Sequence, residues 1–586
     1  MFLSMFRGDL PARLRSSAVA VGGTCLLFLA SALVVEGMLL WDSPLPLAGF
    51  YGTALLSLAA SAHHHYLRLS QAIRKVRYLR SALPDGVLVA LMVASARTPE
   101  ILAVAGTLRS LYAIAVVARN TGWGRRVLEG LFRNPAIATV VSFAAAIVVG
   151  TILLAMPRAT LDLQGTSLVD AFFTAVSATC VTGLAVVNTH ADAFSNPDLP
   201  SFSTFGQIVL LLLIQFGGLG IMTLSAIGAV VAGGGRVSLR DRRMVANVLD
   251  EESPMSATGL LRSIVVMTLA FEAAGAMLLA WRFRSLFPDQ VEVAAWFGLF
   301  HSVSAFCNAG FSLFGRSMVA FRTDPVVNLV IGSLIVAGGL GFTVIAALFA
   351  RRTWRGGVRG AFRRLPVHAR LVLVATAGLL LCGTLLLLWL DADGGLAGLP
   401  WQDRLWAAGF QAVSARTAGF NTIDLANTTR AALIVYLFLM FVGASPGGTG
   451  GGIKTTTFSL LLLSLRATLR NRDDVVLWGR SIGARTLMKV SVVTLLSFVA
   501  CLLGCLVLLA TQAGLGTEAL MFETVSAFGT VGLSMGITPG LDGTGKMVIA
   551  CLMYLGRIGP LTLTLAIGQR KPAGGLRYPG GRVIVG

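Results

Sequence analysis

Ser526-Ala527-Phe528-Gly529-Thr530-Val531-Gly532-Leu533 lies between two long apolar segments and is itself short, small and partly polar. A Thr-Val-Gly backbone can turn its carbonyls inward and replace the hydration shell of a dehydrated cation. Glycine allows this because it tolerates backbone angles that a side chain forbids. One such strand cannot enclose an ion, but the chain carries three related ones. They are Ser177-Ala178-Thr179-Cys180-Val181-Thr182-Gly183-Leu184, Ser304-Ala305-Phe306-Cys307-Asn308-Ala309-Gly310-Phe311 and the shorter Ser414-Ala415-Arg416-Thr417-Ala418-Gly419-Phe420. Each ends in Gly followed by Leu or Phe, and the glycines are 127, 109 and 113 residues apart. A near-constant period in a constant apolar setting marks an internal repeat.

The composition agrees. Of 586 residues, 55% are hydrophobic and 13% charged, and the mean hydropathy is +0.79. A soluble chain carries about 25% charged residues, so this is a polytopic membrane protein. The net charge of +20 comes from Arg clusters in short connectors, which read as topology signals; no aromatic-studded basic patch points to nucleic acid. The cysteines, Cys25, Cys180, Cys307, Cys382, Cys501, Cys505 and Cys551, form no Cys-x-x-Cys pair and read as small buried hydrophobes. Arg7, Arg13 and Arg15 precede the apolar run 18–40, which reads as an uncleaved first span.

Residues 1–135 form an N-terminal region of extra membrane or interfacial segments: the span 18–40, a hairpin partner over 45–62, and two short apolar runs at 86–96 and 101–117, the second containing Arg109. His63-His64-His65 cannot share one helix face and reads as an interfacial cluster rather than a metal site. Beyond it lies a cationic stretch with Arg68, Arg74, Lys75, Arg77 and Arg80. The fold expected from residue 136 onward is all-α, with four tandem helix–pore loop–helix units around one central pore. The units occupy 136–243, 244–365, 366–486 and 487–586, the last with a short cytoplasmic tail. Their spans are expected at 136–156, 205–231, 264–281, 326–349, 371–390, 433–465, 490–509 and 547–567, and the pore helices at 168–180, 293–306, 401–415 and 517–528. Positive residues between units, at 236–243, 351–370 and 466–489, place those connectors and both termini in the cytoplasm. Non-helical backbone at membrane depth must line a cavity or be buried in protein, so the four loops are expected to line one cavity within a single chain.

Between 443 and 457 the last span of the third unit is interrupted by Gly443-Ala444-Ser445-Pro446-Gly447-Gly448-Thr449-Gly450-Gly451-Gly452-Ile453-Lys454-Thr455-Thr456-Thr457. Six Gly and a Pro within ten residues cannot remain regular helix. The phosphate-binding pattern fails because Ile453 separates Gly452 from Lys454 and no strand precedes. The dinucleotide pattern fails because Ile453 stands where the last Gly should be. A mobile constriction that gates a pore fits better. Arg557 is a charge within an apolar segment; at the bilayer centre it costs about 2.5–3.5 kcal/mol on insertion scales and so needs a cavity or a partner. Carbonyls of the Gly-rich loop are the expected partners. Glu272 is a second intramembrane charge with no role evident from sequence.

These residues together resemble the Trk/Ktr/HKT superfamily of potassium transporters, and look closest to the bacterial TrkH and KtrB translocating subunits. The resemblance rests on Val181-Thr182-Gly183, Asn308-Ala309-Gly310, Thr417-Ala418-Gly419 and Thr530-Val531-Gly532, on the Ser445-Pro446-Gly447-Gly448-Thr449 loop, and on Gly556-Arg557-Ile558-Gly559-Pro560. It covers about residues 136–570. It implies K⁺ uptake across the bacterial inner membrane through a filter built of those twelve residues. It also implies gating by Gly447, Gly448, Thr449, Gly450, Gly451, Gly452, Lys454 and Arg557, a homodimer in lipid, and a separate cytosolic nucleotide-binding subunit of the TrkA/KtrA kind. No cofactor motif accompanies it, and K⁺ or Na⁺ is cargo. Some plant relatives favour Na⁺ through a Ser at the first filter Gly; here all four positions are Gly, which favours K⁺. A Na⁺-dependent K⁺ transporter or a Na⁺ uniporter of the same fold fits the same motifs. A membrane-embedded enzyme or a non-conducting sensor fits less well, since the spans hold no paired carboxylates or nucleophile constellation.

Overall fold

The computed structural model describes residues 135–192, 196–232, 257–350, 353–354, 357–472 and 474–559, the helix Pro44–Gln71, and scattered positions at 20–35 and 85–113. The basic clusters at 7–15, 72–80 and 236–243, with Arg351, Arg352 and Arg355, lie outside the described residues, as do the end of the first expected span and everything after Gly559.

Helix α1 (Pro44–Gln71) runs past the expected end at residue 62 and includes His63-His64-His65. Then follow α2 (Pro135–Leu154), α3 (Leu168–Thr179) and α4 (Thr204–Ala232); α5 (Ala257–Phe283), α6 (Val291–Phe306), α7 (Pro325–Leu340) and α8 (Phe342–Phe349); α9 (Gly357–Arg364), α10 (Val367–Leu390), α11 (Trp401–Ser414), α12 (Arg430–Phe441) and α13 (Thr455–Leu469); and α14 (Ala484–Thr511), α15 (Thr517–Gly529) and α16 (Gly543–Ile558). Among the described residues four helices are long and apolar enough to cross a bilayer, within α2, α5, α10 and α14. On α14, Leu495, Phe498, Leu502, Leu503 and Leu506 are exposed, as suits a face solvated by lipid rather than water.

Contacts between successive helix groups close on themselves: α4 packs on α5, α7 on α11, α12 on α15, and α16 returns to α3. The short helices α3, α6, α11 and α15 are therefore surrounded by the longer ones, and most of their C-terminal residues are fully buried. Sequence dictates where several helices start. Ser167, Asp324, Thr429 and Asp542 each accept a backbone N–H of the first turn, satisfying donors that have no partner within the helix. Asp324 does more: Oδ1 accepts from Val326 N (3.0 Å) and Val327 N (3.2 Å) while Oδ2 pairs with Arg282 Nε at 2.6 Å. Asp324→Ala is expected to destabilise the protein by about 1–2 kcal/mol, read as a lower melting temperature in detergent. Asp324→Asn, which keeps the cap, should cost less.

Three expectations need correction. The fold is not wholly helical: Val475–Leu477 and Arg480–Ile482 form an antiparallel hairpin, β1–β2. Its turn residues Trp478 and Gly479 both have positive φ, 47° and 80°, the geometry that matches strand twist in a two-residue turn. Trp478 carries the Arg370 guanidinium at 5.3 Å from its ring. The spans expected at 205–231, 326–349 and 547–567 are also not continuous helices. The first two break at Gly220 (φ 49°) and Gly341 (φ 91°), and α7 and α8 meet at 105°; in the third, α16 ends at Ile558, before Gly559 (φ 84°), and the remainder lies outside the described residues. Finally, Cys382 and Cys551 are exposed rather than buried, while all described cysteines are free thiols.

In the N-terminal region Arg109 is fully buried. Its Nε lies 3.3 Å from Asp85 Oδ1, and its guanidinium donates to Ser57 Oγ (2.7 Å) and Ser61 Oγ. A guanidinium pays for burial only with such partners.

Candidate functional site

Each of the four repeated stretches begins at the end of a short helix, and its serine is what turns the chain. Ser177, Ser304, Ser414 and Ser526 carbonyls accept from Thr182 N (2.8 Å), Ala309 N (2.7 Å), Ala418 N (2.9 Å) and Val531 N (2.8 Å). Their hydroxyls fasten the far end of the loop. Ser177 and Ser526 accept from Gly183 N and Gly532 N, both at 3.1 Å. Ser304 donates to the Phe311 carbonyl at 2.8 Å, and Ser414 donates to that of Phe420.

The backbone alternates. Val181, Asn308, Thr417 and Thr530 have φ of 57°, 60°, 72° and 50°, and two residues on, Gly183, Gly310, Gly419 and Gly532 have φ of 100°, 72°, 81° and 91°. Left-handed angles at four non-glycine residues in corresponding positions are costly and therefore imposed by the surroundings. The glycines then touch in a cycle. A Cβ on Gly183 would stand 2.4 Å from the Ala309 carbonyl oxygen, on Gly310 2.8 Å from that of Ala418, on Gly419 2.5 Å from that of Val531, and on Gly532 2.0 Å from that of Thr182. The first segment meets the second, the second the third, the third the fourth, and the fourth the first. The twelve residues expected from sequence are thus brought together around one axis, with Val181, Asn308, Thr417 and Thr530 nearest the broken helices.

The Gly-rich stretch packs against that end. Gly451 N donates to Thr530 Oγ1 at 3.0 Å, and a Cβ on Gly450 would fall 1.9 Å from Thr417 Oγ1. Thr449 Oγ1 donates to the Phe306 carbonyl at 3.1 Å, and Thr449 N to that of Gly338 at 3.0 Å. Ser445 N donates to the Gly339 carbonyl at 2.9 Å, and Phe342 N to that of Gly447 at 3.1 Å. Three cations grip the loop through carbonyls: Lys454 Nζ reaches that of Gly450 (2.7 Å), Arg416 Nη2 that of Gly443 (3.3 Å), and Arg557 Nη1 that of Thr449. Arg557 Nη2 donates to the Gly217 carbonyl as well. The expected partnership between Arg557 and the loop is present, and Arg557 is buried rather than at an interface.

Sequence reasoning missed several groups. Arg416, one residue before the third segment's Thr, is buried. Glu523 on α15 is fully buried and accepts from the Thr538 hydroxyl, behind the fourth segment. Glu272, singled out from sequence but without a role, accepts from Gln215 Nε2 at 3.3 Å and from Cys307 Sγ at 3.7 Å, behind the second. The helix breaks carried a signal that went unread: Gly217-Gly218-Leu219-Gly220, Gly338-Gly339-Leu340-Gly341 and Gly556-Arg557-Ile558-Gly559 share a Gly-x-x-Gly pattern. The first Gly of each admits a carbonyl of its own group's short helix. A Cβ there would lie 2.0 Å from Thr179 O, 1.9 Å from Phe306 O and 1.8 Å from Phe528 O respectively. Among the described residues no three His, Cys, Asp or Glu converge as a metal site.

Residues 110–575 match the family described as TrkH, cation transport protein. The chain belongs to this family. Among TrkH-family relatives, it is 36% identical to the Ktr system potassium uptake protein B of Bacillus subtilis over 464 residues, which is 79% of this chain and 99% of that one. It is 37% identical to the protein of the same name from Vibrio alginolyticus (76% and 94% of the two chains). It is 33% identical to the potassium/sodium uptake protein NtpJ of Enterococcus hirae (77% and 97%). The fold is that of the potassium transporter TrkH crystal structure from Vibrio parahaemolyticus, with a TM-score of 0.59 at 20% identity, covering 84% of this chain and 97% of that one. A multi-pass membrane transporter, not an enzyme, is what this family membership means for the TrkH-family chain described above.

Proposed function

We propose that this chain is the pore-forming subunit of a K⁺ uptake system. Its groups α2–α4, α5–α8, α10–α13 and α14–α16 act as four helix–pore loop–helix units, with the boundaries 136–243, 244–365, 366–486 and 487–586. The twelve residues from Val181 to Gly532 named above form the selectivity filter, and 443–457 form the gate, held by Lys454 and Arg557. The observation that carries this reading is the closed cycle of glycine-to-carbonyl approaches: four backbone strands at van der Waals limit around one axis can present carbonyls to a single dehydrated ion. Named potassium uptake proteins among the relatives support K⁺ as cargo. The Ktr-system names further support a subunit that works with a separate regulatory subunit; in this reading the chain is a homodimer in a bacterial inner membrane and that regulatory subunit is cytosolic. The basic connectors, including Arg370, Arg466 and Arg480, face the cytoplasm in this reading, with both termini.

The test is ⁸⁶Rb⁺ uptake into liposomes holding the purified protein, loaded with KCl or NaCl. Uptake driven by internal K⁺ and competed by external K⁺ but not Na⁺ is expected. Equal competition by Na⁺ would favour the second reading, a K⁺/Na⁺ system, for which the potassium/sodium relative and the unequal filter sequences speak.

A further inference from the structure

We propose that the Gly451 amide and a permeating cation compete for one oxygen, Thr530 Oγ1, so that ion entry at the inner end of the filter and closure of the loop exclude each other. The inference rests on the filter and gate reading above and adds the ion itself as a ligand that opens the gate.

Four observations meet here. Thr530 is the innermost residue of the fourth segment and is fully buried, and its hydroxyl accepts from Gly451 N at 3.0 Å. Gly450 lies so close to the Thr417 hydroxyl that no side chain fits between them. With its amide oriented so that both atoms are satisfied, Asn308 donates to the carbonyls of Ile335 (3.2 Å) and Ala305 (3.1 Å), and its Oδ1 accepts from Thr417 Oγ1 at 3.3 Å. Three of the four innermost side chains are therefore oxygen-bearing, and the loop covers two of them directly; the fourth, Val181, has no oxygen to offer.

An amide N–H presents its positive end to the hydroxyl oxygen, as a cation would. The two cannot occupy the same lone-pair direction, and their positive charges repel. The loop amide thus stands in for the ion in the closed state. Its glycines are required for that approach: a Cβ on Gly451 would lie 2.3 Å from Thr530 Oγ1. By linkage, a ligand that binds only the loop-withdrawn state shifts the equilibrium by 1 + [ion]/Kd. At K⁺ about tenfold above the dissociation constant of that site, the open-to-closed ratio rises about tenfold. A cation too large to enter the filter leaves it unchanged.

Amide hydrogen exchange of the peptide spanning 443–452 reads this directly. The full-length protein in nanodiscs is titrated with KCl against N-methylglucamine chloride at constant ionic strength. Exchange of the loop is expected to accelerate about tenfold with K⁺ and to stay flat with N-methylglucamine. Thr530→Val keeps the side-chain shape without the acceptor, and should exchange fast and independently of K⁺; Thr530→Ser should restore the dependence. Loop exchange in the wild type that ignores K⁺, while ⁸⁶Rb⁺ uptake remains K⁺-selective, overturns the competition and leaves the filter reading intact. Exchange that follows K⁺ in a protein whose uptake shows no ion preference supports the competition and counts against the filter reading. If Thr530→Val does not fold, the wild-type titration decides alone.

Discussion

Gly532→Ser is expected to lower the preference for K⁺ over Na⁺ by at least about tenfold, an energy of about 1.4 kcal/mol. Gly532 has φ +91°, and a Cβ there would stand 2.0 Å from the Thr182 carbonyl oxygen. The left-handed conformation alone costs an L-residue about 1–2 kcal/mol. The contact costs more, because the opposing atom is backbone and no rotamer change relieves it. Thr182 must move, and Thr182 precedes Gly183, whose own close neighbour is the Ala309 carbonyl. The displacement is therefore passed around the cycle instead of staying local. Gly536→Ala supplies the control: Gly536 has the same φ of +91° but nothing within 4 Å of its would-be Cβ. It carries the backbone strain without the collision and should leave ion preference unchanged. Competition of ⁸⁶Rb⁺ uptake by K⁺ and Na⁺ measures both variants. An unchanged preference in folded Gly532→Ser would remove the filter assignment.

What could be read from the sequence followed from how local each constraint is. The four repeated stretches were legible because one short pattern carries the whole turn: a Ser that turns the chain by accepting its amides, and a Gly at the closest approach. Both are needed within eight residues, so both recur visibly. The breaks at Gly220, Gly341 and Gly559 were not legible as breaks. A Gly pair is tolerated in an apolar helix, and hydropathy averages over it. The glycine three residues before each break, Gly217, Gly338 or Gly556, is required by a carbonyl 38, 32 or 28 residues earlier, at Thr179, Phe306 or Phe528, which no short window of sequence reveals. The stretch 443–457 was legible because its Gly and Pro content exceeds what any helix bears. Arg416 and Glu523 were missed for a different reason. Each lies inside a short helix or its turn, where composition reads as an ordinary amphipathic segment, and burial comes only from the neighbouring helices. The hairpin around Trp478-Gly479 was hidden inside a connector whose Arg content drew attention to charge instead of strand pairing.

Arg557→Gln is expected to raise basal ⁸⁶Rb⁺ uptake by about tenfold to a hundredfold without any activator. The guanidinium donates to Thr449 in the loop and to Gly217 at the break in α4. Only the first bond is lost when the loop withdraws, since Gly217 belongs to the scaffold. The energy that holds the gate is therefore the difference of one charge-assisted hydrogen bond, about 1.5–3 kcal/mol, and each 1.4 kcal/mol is a factor of ten in the closed-to-open ratio. The cost of burying Arg557 is present in both states and cancels, which is why a residue expensive to insert can still act as a latch of modest strength. Arg557→Lys keeps the charge, but its compact ammonium lacks the planar fork that spans two carbonyls, so uptake should fall between wild type and Arg557→Gln. Deleting Gly447–Gly452 sets the ceiling, because it removes Thr449, Gly450 and Gly451 together. Arg416 grips the loop at Gly443, at the end away from Thr449. If the two arginines act as separate latches, the double variant should multiply the single effects, up to that ceiling. Basal uptake in folded Arg557→Gln at or below the wild-type level would show that the loop is held elsewhere, and that Arg557 serves α4 rather than the gate.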